Sequence, residues 1–176
     1  MATVNMVEYD KASARVRRVY DEIMAKRGID FVPNVWKTLA AHPPTLERVW
    51  RELQVVMAPG RLDSLTKEMI AIAVSATNGC EYCIWSHTAA ARKLGMDDEM
   101  LGEMMAVVGM FNQTNKLAMG YQMDVDDVYR AVARKSPTAK PRTKRKPAPK
   151  AGATKTVKTT SARPRRAAKA TKTAKR

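Results

Sequence analysis

The chain has 176 residues and a formal net charge of +15, from 32 Lys and Arg against 17 Asp and Glu. Residues 135–176 hold 16 of the basic residues and no acidic one, which leaves residues 1–134 with a net charge of −1. Every Met, Trp, Phe and Cys also lies in residues 1–134. We therefore predict one compact domain over residues 1–134 and a disordered Lys/Ala/Thr/Pro-rich basic tail over residues 135–176, which is too poor in large apolar side chains to fold.

The same composition excludes two classes of protein. Apolar residues never run for the roughly 18 positions that a membrane-spanning helix requires. Residues 1–8 lack both the basic start and the apolar stretch of a signal peptide, so we expect a cytoplasmic protein without a membrane partner. In such a chain, two cysteines point to catalysis or metal binding rather than to a structural disulfide.

Apolar residues recur at three- and four-residue steps through the first 134 positions and do not alternate with a period of two, which predicts an all-α domain. The first three predicted helices, in chain order, span residues 9–26, 33–40 and 46–57. Gly28 and the His42-Pro43-Pro44 run are the signals that separate them.

Asp63 or Ser64 is the predicted cap of the next helix, which Asn78 and Gly79 end. The remaining predicted helices span residues 80–94, 97–121 and 125–133. We expect the pattern to loosen at residues 111–114, where polar residues interrupt the apolar stripe of the 97–121 segment.

One group of side chains carries recognisable chemistry. Cys80 and Cys83 are separated by two residues at a predicted helix start, where the first N–H groups of the helix lower the pKa of a thiol from about 8.5 toward neutrality. His87 lies one turn after Cys83 on the same face and is placed to take its proton. Glu68, on the preceding helix, is the candidate that orients His87.

Other interpretations of these residues are open at this point. The two cysteines are also compatible with small apolar residues in a core. Together with Glu68 and His87 they offer a chemically sound set of ligands for Zn²⁺, although we predict no metal. Glu68 alone is compatible with a solvated position on a helix surface.

This group resembles the signature of the alkyl hydroperoxidase D-like family, which shares its fold with the carboxymuconolactone decarboxylases. The resemblance covers about residues 30–120 and is carried by Glu68, Cys80, Tyr82, Cys83 and His87, with the flanks Asn78-Gly79 and Ala91-Arg92-Lys93-Leu94-Gly95. The chain departs from some members at Ser86, where they have a second His.

The resemblance implies a thiol-dependent peroxidase that reduces hydrogen or alkyl peroxides and assembles as a homo-trimer or hexamer. By that analogy Cys83 attacks the peroxide, Cys80 closes a disulfide with it, and His87 with Glu68 forms the proton relay. It implies no bound cofactor but an external dithiol donor of the lipoyl or thioredoxin type.

Two further residues and one rival activity complete the expectations for the domain. Tyr82 and Trp85 are candidates for a proton relay or for the wall of a substrate pocket. The rival is a carboxymuconolactone decarboxylase-like enzyme, which does not require a redox-active cysteine pair.

The tail resembles the basic C-terminal arms of linker-histone-like and nucleoid-associated proteins. Its basic residues predict sequence-independent, salt-dependent binding along the phosphates of DNA, or of RNA or another polyanion. The candidate contacts are Lys144, Arg145, Lys146, Arg163, Arg165 and Arg166. A solubilising tail is one alternative; another is a nucleoid-associated DNA-binding protein whose helical domain serves as an oligomeric scaffold.

Overall fold

The computed structural model describes residues 2–134, and every regular element in this part of the chain is helical, which confirms the all-α prediction. The predicted tail and its six candidate DNA contacts lie outside the described residues. A single 3₁₀ turn, Tyr9–Lys11, precedes seven α-helices. In chain order these are α1 (Ala14–Arg27), α2 (Asn34–Leu39), α3 (Pro43–Met57), α4 (Ser64–Thr77), α5 (Glu81–Lys93), α6 (Asp98–Gly120) and α7 (Asp127–Ala133).

Short polar side chains set the starts of three helices. Ser13 accepts from the Val16 N–H at the start of α1, so the first helix begins five residues later than predicted. Asp63 accepts from the Thr66 N–H at 2.8 Å, which confirms the predicted cap of α4. Asp97 holds the start of α6 in the same way.

The structure differs from the sequence prediction at the Pro43-Pro44 pair and at residues 111–114. Pro43 and Pro44 do separate α2 from α3, but they also form the first turn of α3, where no backbone N–H is needed for the helix. The predicted loosening at residues 111–114 is wrong, because α6 continues to Gly120. Asn112 and Thr114 donate to the carbonyls of Val108 and Met110 one turn back, so these polar side chains satisfy groups of the helix itself.

The buried side chains form two separate clusters in the described residues. The N-terminal cluster joins α1, α2 and α3 around Tyr20, Ile23 and Leu46, with Trp36 and Trp50 packed edge to face at 5.3 Å. The second cluster joins α4, α5 and α6 and consists of Ile72, Ala91, Met96 and Met104. The candidate catalytic residues all belong to the α4 and α5 helices or the turn between them.

The chain divides into two compact units, residues 1–124 and a segment that begins at Val125 and contains α7. All residues of α7 are exposed. Among the helices of residues 2–134, none has the length and apolar character that crossing a bilayer would require.

An ion pair connects α1 to α3 at the surface of the N-terminal cluster. Nε and Nη2 of Arg15 donate to the two carboxylate oxygens of Glu47, at 2.7 and 2.6 Å. This hydrogen bonding is the main reason that the pKa of Glu47 is lowered from its ordinary value of 4.5. A lowered pKa contributes stability that is present above the ordinary value and is lost as the pH falls through the lowered one.

We expect Arg15→Gln to lower the urea midpoint slightly near neutral pH, because exposed ion pairs contribute little. The difference from the parent chain should shrink as the pH falls below 4.5 and as salt is added. Arg48→Gln is the control, since Arg48 and Glu52 lie within one helix, are about two-thirds exposed and are 3.7 Å apart. Urea titrations of the three chains across pH test this, and a difference that persists in acid would contradict it.

Candidate active site

The candidate site is built on a hairpin of two helices. α4 ends at Thr77, and Asn78 and Gly79 form the turn into α5. Gly79 has a positive φ of 69°, a conformation that a side chain disfavours, which explains the glycine at this position. The Cys80 N–H donates to the Ser75 carbonyl at 2.9 Å, which closes the turn. Because the connection is this short, α5 runs back along α4.

Glu68 and His87 face each other across this hairpin. Glu68 Oε2 lies 2.7 Å from His87 Nδ1, and the two side chains are 15 % and 25 % exposed. Glu68 shares a face of α4 with the buried Ile72 and Ser75, so it is not the solvated surface residue considered above. A carboxylate oxygen accepts, so Nδ1 of His87 is the donor of this hydrogen bond, and in the neutral ring the lone pair is on Nε2.

Cys80 and Cys83 are joined by a disulfide across the first turn of α5, with their Cα atoms 5.3 Å apart. Cys80 is the residue that precedes the helix, and its Sγ accepts from the Cys83 N–H at 3.3 Å. The pair therefore lies at the positive end of the helix dipole. Both residues are half-buried, and neither belongs to the apolar cluster of α4, α5 and α6.

The zinc hypothesis can be compared with the placement of these side chains. In residues 2–134, no group of three or more His, Cys, Asp or Glu side chains is arranged to hold a metal ion. Both sulfur atoms are engaged in the disulfide, and the Glu68 carboxylate is engaged with His87. What the arrangement offers is a dithiol–disulfide pair next to an imidazole–carboxylate pair.

The two aromatic candidates lie in different surroundings. Tyr82 is 42 % exposed, and its Oη accepts from the Val35 N–H at 3.3 Å, 47 residues earlier in the chain. Trp85 is 71 % exposed. In the described residues, neither side chain is hydrogen-bonded to His87 or Glu68.

Sequence reasoning missed three contacts of the site. Ser75 supplies the carbonyl that ends the turn, Ser86 Oγ donates to the Cys83 carbonyl at 3.1 Å, and Val35 bonds to Tyr82. Only the second left a signal, because a Ser side chain in a helix commonly bonds to a carbonyl three or four residues back. Ser75 and Val35 act through main-chain groups, whose partners depend on the fold.

A cleft of about 330 Å³ lies outside this site, between the C-terminal half of α4 and the middle of α6. Its walls are apolar and exposed at Val74, Val107 and Phe111, and Asn112 contributes an amide that donates to Thr77 Oγ1 at 3.0 Å. None of the four candidate catalytic residues lines it.

Comparison with known proteins places this geometry in a family. The crystal structure of the alkylhydroperoxidase AhpD core from Rhodospirillum rubrum superposes with a TM-score of 0.70 and is 44% identical, over 74% of this chain and 98% of that one. The alkyl hydroperoxide reductase AhpD of Streptomyces coelicolor is 31% identical over 53% of this chain and 49% of its own length. A protein of the Paracoccus denitrificans cox locus, described as uncharacterized, is 41% identical over 31% of this chain and 49% of its own length.

The chain spans about half the length of these two curated relatives. Residues 43–121 match the carboxymuconolactone decarboxylase family, and this range contains the whole α4–α5 hairpin with Glu68, Cys80, Cys83 and His87. Together with the Rhodospirillum rubrum structure, which the chain covers almost completely, the match shows that the chain belongs to the carboxymuconolactone decarboxylase family and is similar to its alkylhydroperoxidase D-like members.

Proposed function

We propose that the protein is a thiol-dependent peroxidase that reduces hydrogen or alkyl peroxides through Cys80 and Cys83. The observation that carries the proposal is the joint placement of a disulfide at the start of α5 and an imidazole–carboxylate pair one turn further along the same helix. A dithiol–disulfide pair supplies two electrons, which is the number that one peroxide bond requires.

The first step of the proposed cycle generates a nucleophile from the reduced pair. Cys83 and His87 are four residues apart on α5, so their side chains share one face. The Nε2 lone pair of His87 takes the Cys83 proton, directly or through a water molecule. Glu68 holds the opposite side of the ring through Nδ1 and stabilises the imidazolium that forms.

The second step breaks the peroxide bond. The Cys83 thiolate attacks one oxygen of ROOH, and the bonding pair of the O–O bond leaves with the other oxygen as an alkoxide. The imidazolium of His87 returns its proton to that oxygen, so that an alcohol leaves, or water when the substrate is hydrogen peroxide. Cys83 is now a sulfenic acid.

The third step produces the bond that the structure contains. The Cys80 thiol attacks the Cys83 sulfur, the hydroxyl of the sulfenic acid leaves as water, and the Cys80–Cys83 disulfide forms. An external dithiol of the lipoyl or thioredoxin type then reduces the disulfide by exchange and is itself oxidised. The half-buried position of both cysteines leaves them partly accessible to such a donor.

A decarboxylase-like activity is the rival within the same family. The general acid–base pair of Glu68 and His87 would serve that chemistry equally well. The disulfide favours the peroxidase, because a decarboxylase does not require a redox-active pair of cysteines.

We expect Cys83→Ser to abolish peroxide consumption in the presence of a dithiol, because the attacking sulfur is gone. Cys80→Ser should retain a single turnover and accumulate a sulfenic acid on Cys83, detected with a sulfenic-acid reagent and mass spectrometry. His87→Ala should lower the rate by about 100- to 10,000-fold, the usual contribution of a general base. Stopped-flow peroxide assays measure all three.

His42→Ala is the matched control for the imidazole, since His42 is exposed at the start of α3 and its Nδ1 is hydrogen-bonded to Thr45 Oγ1, away from the cysteines. Its activity should equal that of the parent chain. Peroxidase activity in Cys83→Ser at the parent rate would refute the proposal.

We also propose that the chain forms a homo-oligomer, the trimer or hexamer that the sequence resemblance implies, through the cleft between α4 and α6. Val74 and Phe111 are 54 % and 58 % exposed there, and apolar residues grouped in this way on a surface are typical of protein interfaces. The proposed occupant is a second copy of the chain.

We expect Val74→Glu with Phe111→Glu to give a smaller assembly in light scattering coupled to size-exclusion chromatography, because a buried unpaired carboxylate is costly. Val55→Glu is the control, since Val55 is 72 % exposed on α3 and lies outside the cleft. A parent chain that is monomeric at micromolar concentrations would contradict the proposal.

We also propose that the tail has a second activity, the sequence-independent binding of DNA. The observation in its favour is the concentration of 16 basic residues and no acidic one in residues 135–176. A basic segment of this kind binds along phosphates by releasing counterions, and assembly of several chains would raise its avidity. Such binding would place the peroxidase at the nucleoid.

We expect the full chain to bind duplex DNA with a steep dependence on salt. Replacing Lys144, Arg145, Lys146, Arg163, Arg165 and Arg166 by Gln should reduce the slope of log K against log salt by up to about 5, since each neutralised phosphate contributes about 0.9 to that slope. The matched control replaces six uncharged tail residues by Gln: Thr138, Thr143, Thr154, Thr156, Thr159 and Thr160. Equal slopes for both variants in a fluorescence-anisotropy titration would show that these six residues do not contribute to DNA binding.

A further inference from the structure

Tyr82 makes a contact that the proposed reaction does not use. Its hydroxyl oxygen accepts from the Val35 N–H at 3.3 Å. Val35 is the second residue of α2, where a backbone N–H has no partner within the helix and normally bonds to a capping side chain. Pro33, the residue before α2, has no side-chain acceptor. The hydroxyl oxygen of Tyr82 is therefore the acceptor that a capping side chain would otherwise provide.

The Val35 end of this contact is held firmly in place. Val32, three residues before Val35, and Trp36, the next residue, are 5 % and 3 % exposed and belong to the N-terminal cluster. Trp36 packs against Trp50, and the Lys37 carbonyl accepts from the Val7 N–H at 3.0 Å. The start of α2 is therefore a fixed point against which another element can be positioned.

The Tyr82 end lies inside the disulfide loop, between Cys80 and Cys83. The hairpin that carries it packs in the second cluster, which shares no residue with the N-terminal one among the described residues. A second contact between the hairpin and the N-terminal helices occurs at the end of α3, where Lys67 Nζ donates to the carbonyls of Val56 and Ala58, both at 2.6 Å. The hydrogen bond of Tyr82 thus ties the loop between the two cysteines to the start of α2, which packs in the N-terminal cluster.

We propose that Tyr82 is a positioning residue that holds the Cys80–Cys83 loop in the geometry of the disulfide and so sets its thiol–disulfide equilibrium. The proposal rests on the proposed function in taking the pair as redox-active. The hydrogen bond to Val35 is present while the disulfide is closed. It limits the freedom that the loop gains on reduction, so Cys80 stays close to Cys83 and the disulfide re-forms readily.

The same geometry distinguishes positioning from proton transfer. In the reaction with dithiothreitol, two electrons and two protons pass from the reagent to the Cys80–Cys83 bond, and the reagent closes its own disulfide. Tyr82 neither gains nor loses a proton in that exchange. An effect of Tyr82 on the exchange equilibrium, without an effect on the pH profile of peroxide consumption, therefore identifies a positioning role.

The test is Tyr82→Phe in the full chain, equilibrated in dithiothreitol buffers of graded potential and read by thiol alkylation and mass spectrometry. We expect the equilibrium to shift toward the dithiol by about 2- to 10-fold, the usual net effect of one hydrogen bond. Tyr9→Phe is the matched control, because Tyr9 is 40 % exposed and donates its own hydroxyl hydrogen bond to Asp21, away from the cysteines. It should leave the equilibrium unchanged.

A second variant removes the other partner of the contact. Val35→Pro deletes the N–H and is compatible with the first turn of a helix, as Pro43 and Pro44 of α3 show. It should shift the equilibrium in the same direction as Tyr82→Phe, and the double variant should shift it no further. This pair keeps the test informative if one of the two chains does not fold.

Two outcomes would overturn the proposal. The first is an exchange constant of Tyr82→Phe equal to that of Tyr9→Phe, and the second is additive shifts in the double variant. The exchange equilibrium is measured without peroxide, so a chain that shows the shift but lacks peroxidase activity refutes only the proposed function. A chain that is an active peroxidase but shows no shift refutes only the role of Tyr82.

Discussion

The hydrogen bond between Glu68 and His87 is the constraint on which the candidate site depends. It joins two helices at a point 19 residues apart in the chain, and it is possible only because the turn at Asn78 and Gly79 is short enough to bring α5 directly back along α4. Once the turn is set, the 3.6-residue period places His87 and Cys83 on one face of α5. The geometry of the turn therefore determines which side chains of α4 and α5 can meet.

The hairpin is joined to the N-terminal helices at helix ends. Lys67 brings an ammonium group to the C-terminal carbonyls of α3, and Tyr82 brings an oxygen acceptor to an N–H at the start of α2. Each group has the sign that the helix end favours, a cation at the C-terminus and an acceptor at the N-terminus. These contacts link the hairpin of α4 and α5 to the N-terminal helices.

The features that follow from local pattern could be predicted from the sequence, and those that depend on tertiary contacts could not. Periodicity indicates the helical class, and the spacing of Cys80, Cys83 and His87 indicates the candidate site. The continuity of α6 escapes prediction because Asn112 and Thr114 are weak helix formers, whereas in the folded chain their side chains bond to carbonyls one turn back. Nothing in the sequence indicates that Val35 and Tyr82 meet, since their contact follows from how two separately packed helix groups are arranged.

The net charge of the chain and the local potential at the cysteine pair have different origins. Residues 1–134 carry a net charge of −1, so the net charge of +15 comes from the 16 basic residues at 135–176. The cysteine pair instead lies at the start of α5, where backbone N–H groups provide a local positive potential that falls off within the first turn. Because the potential at the pair has this local origin, salt that screens the basic tail should leave the chemistry at Cys83 largely unaffected. We therefore expect substitutions in the tail and substitutions in the hairpin to change different properties of the chain.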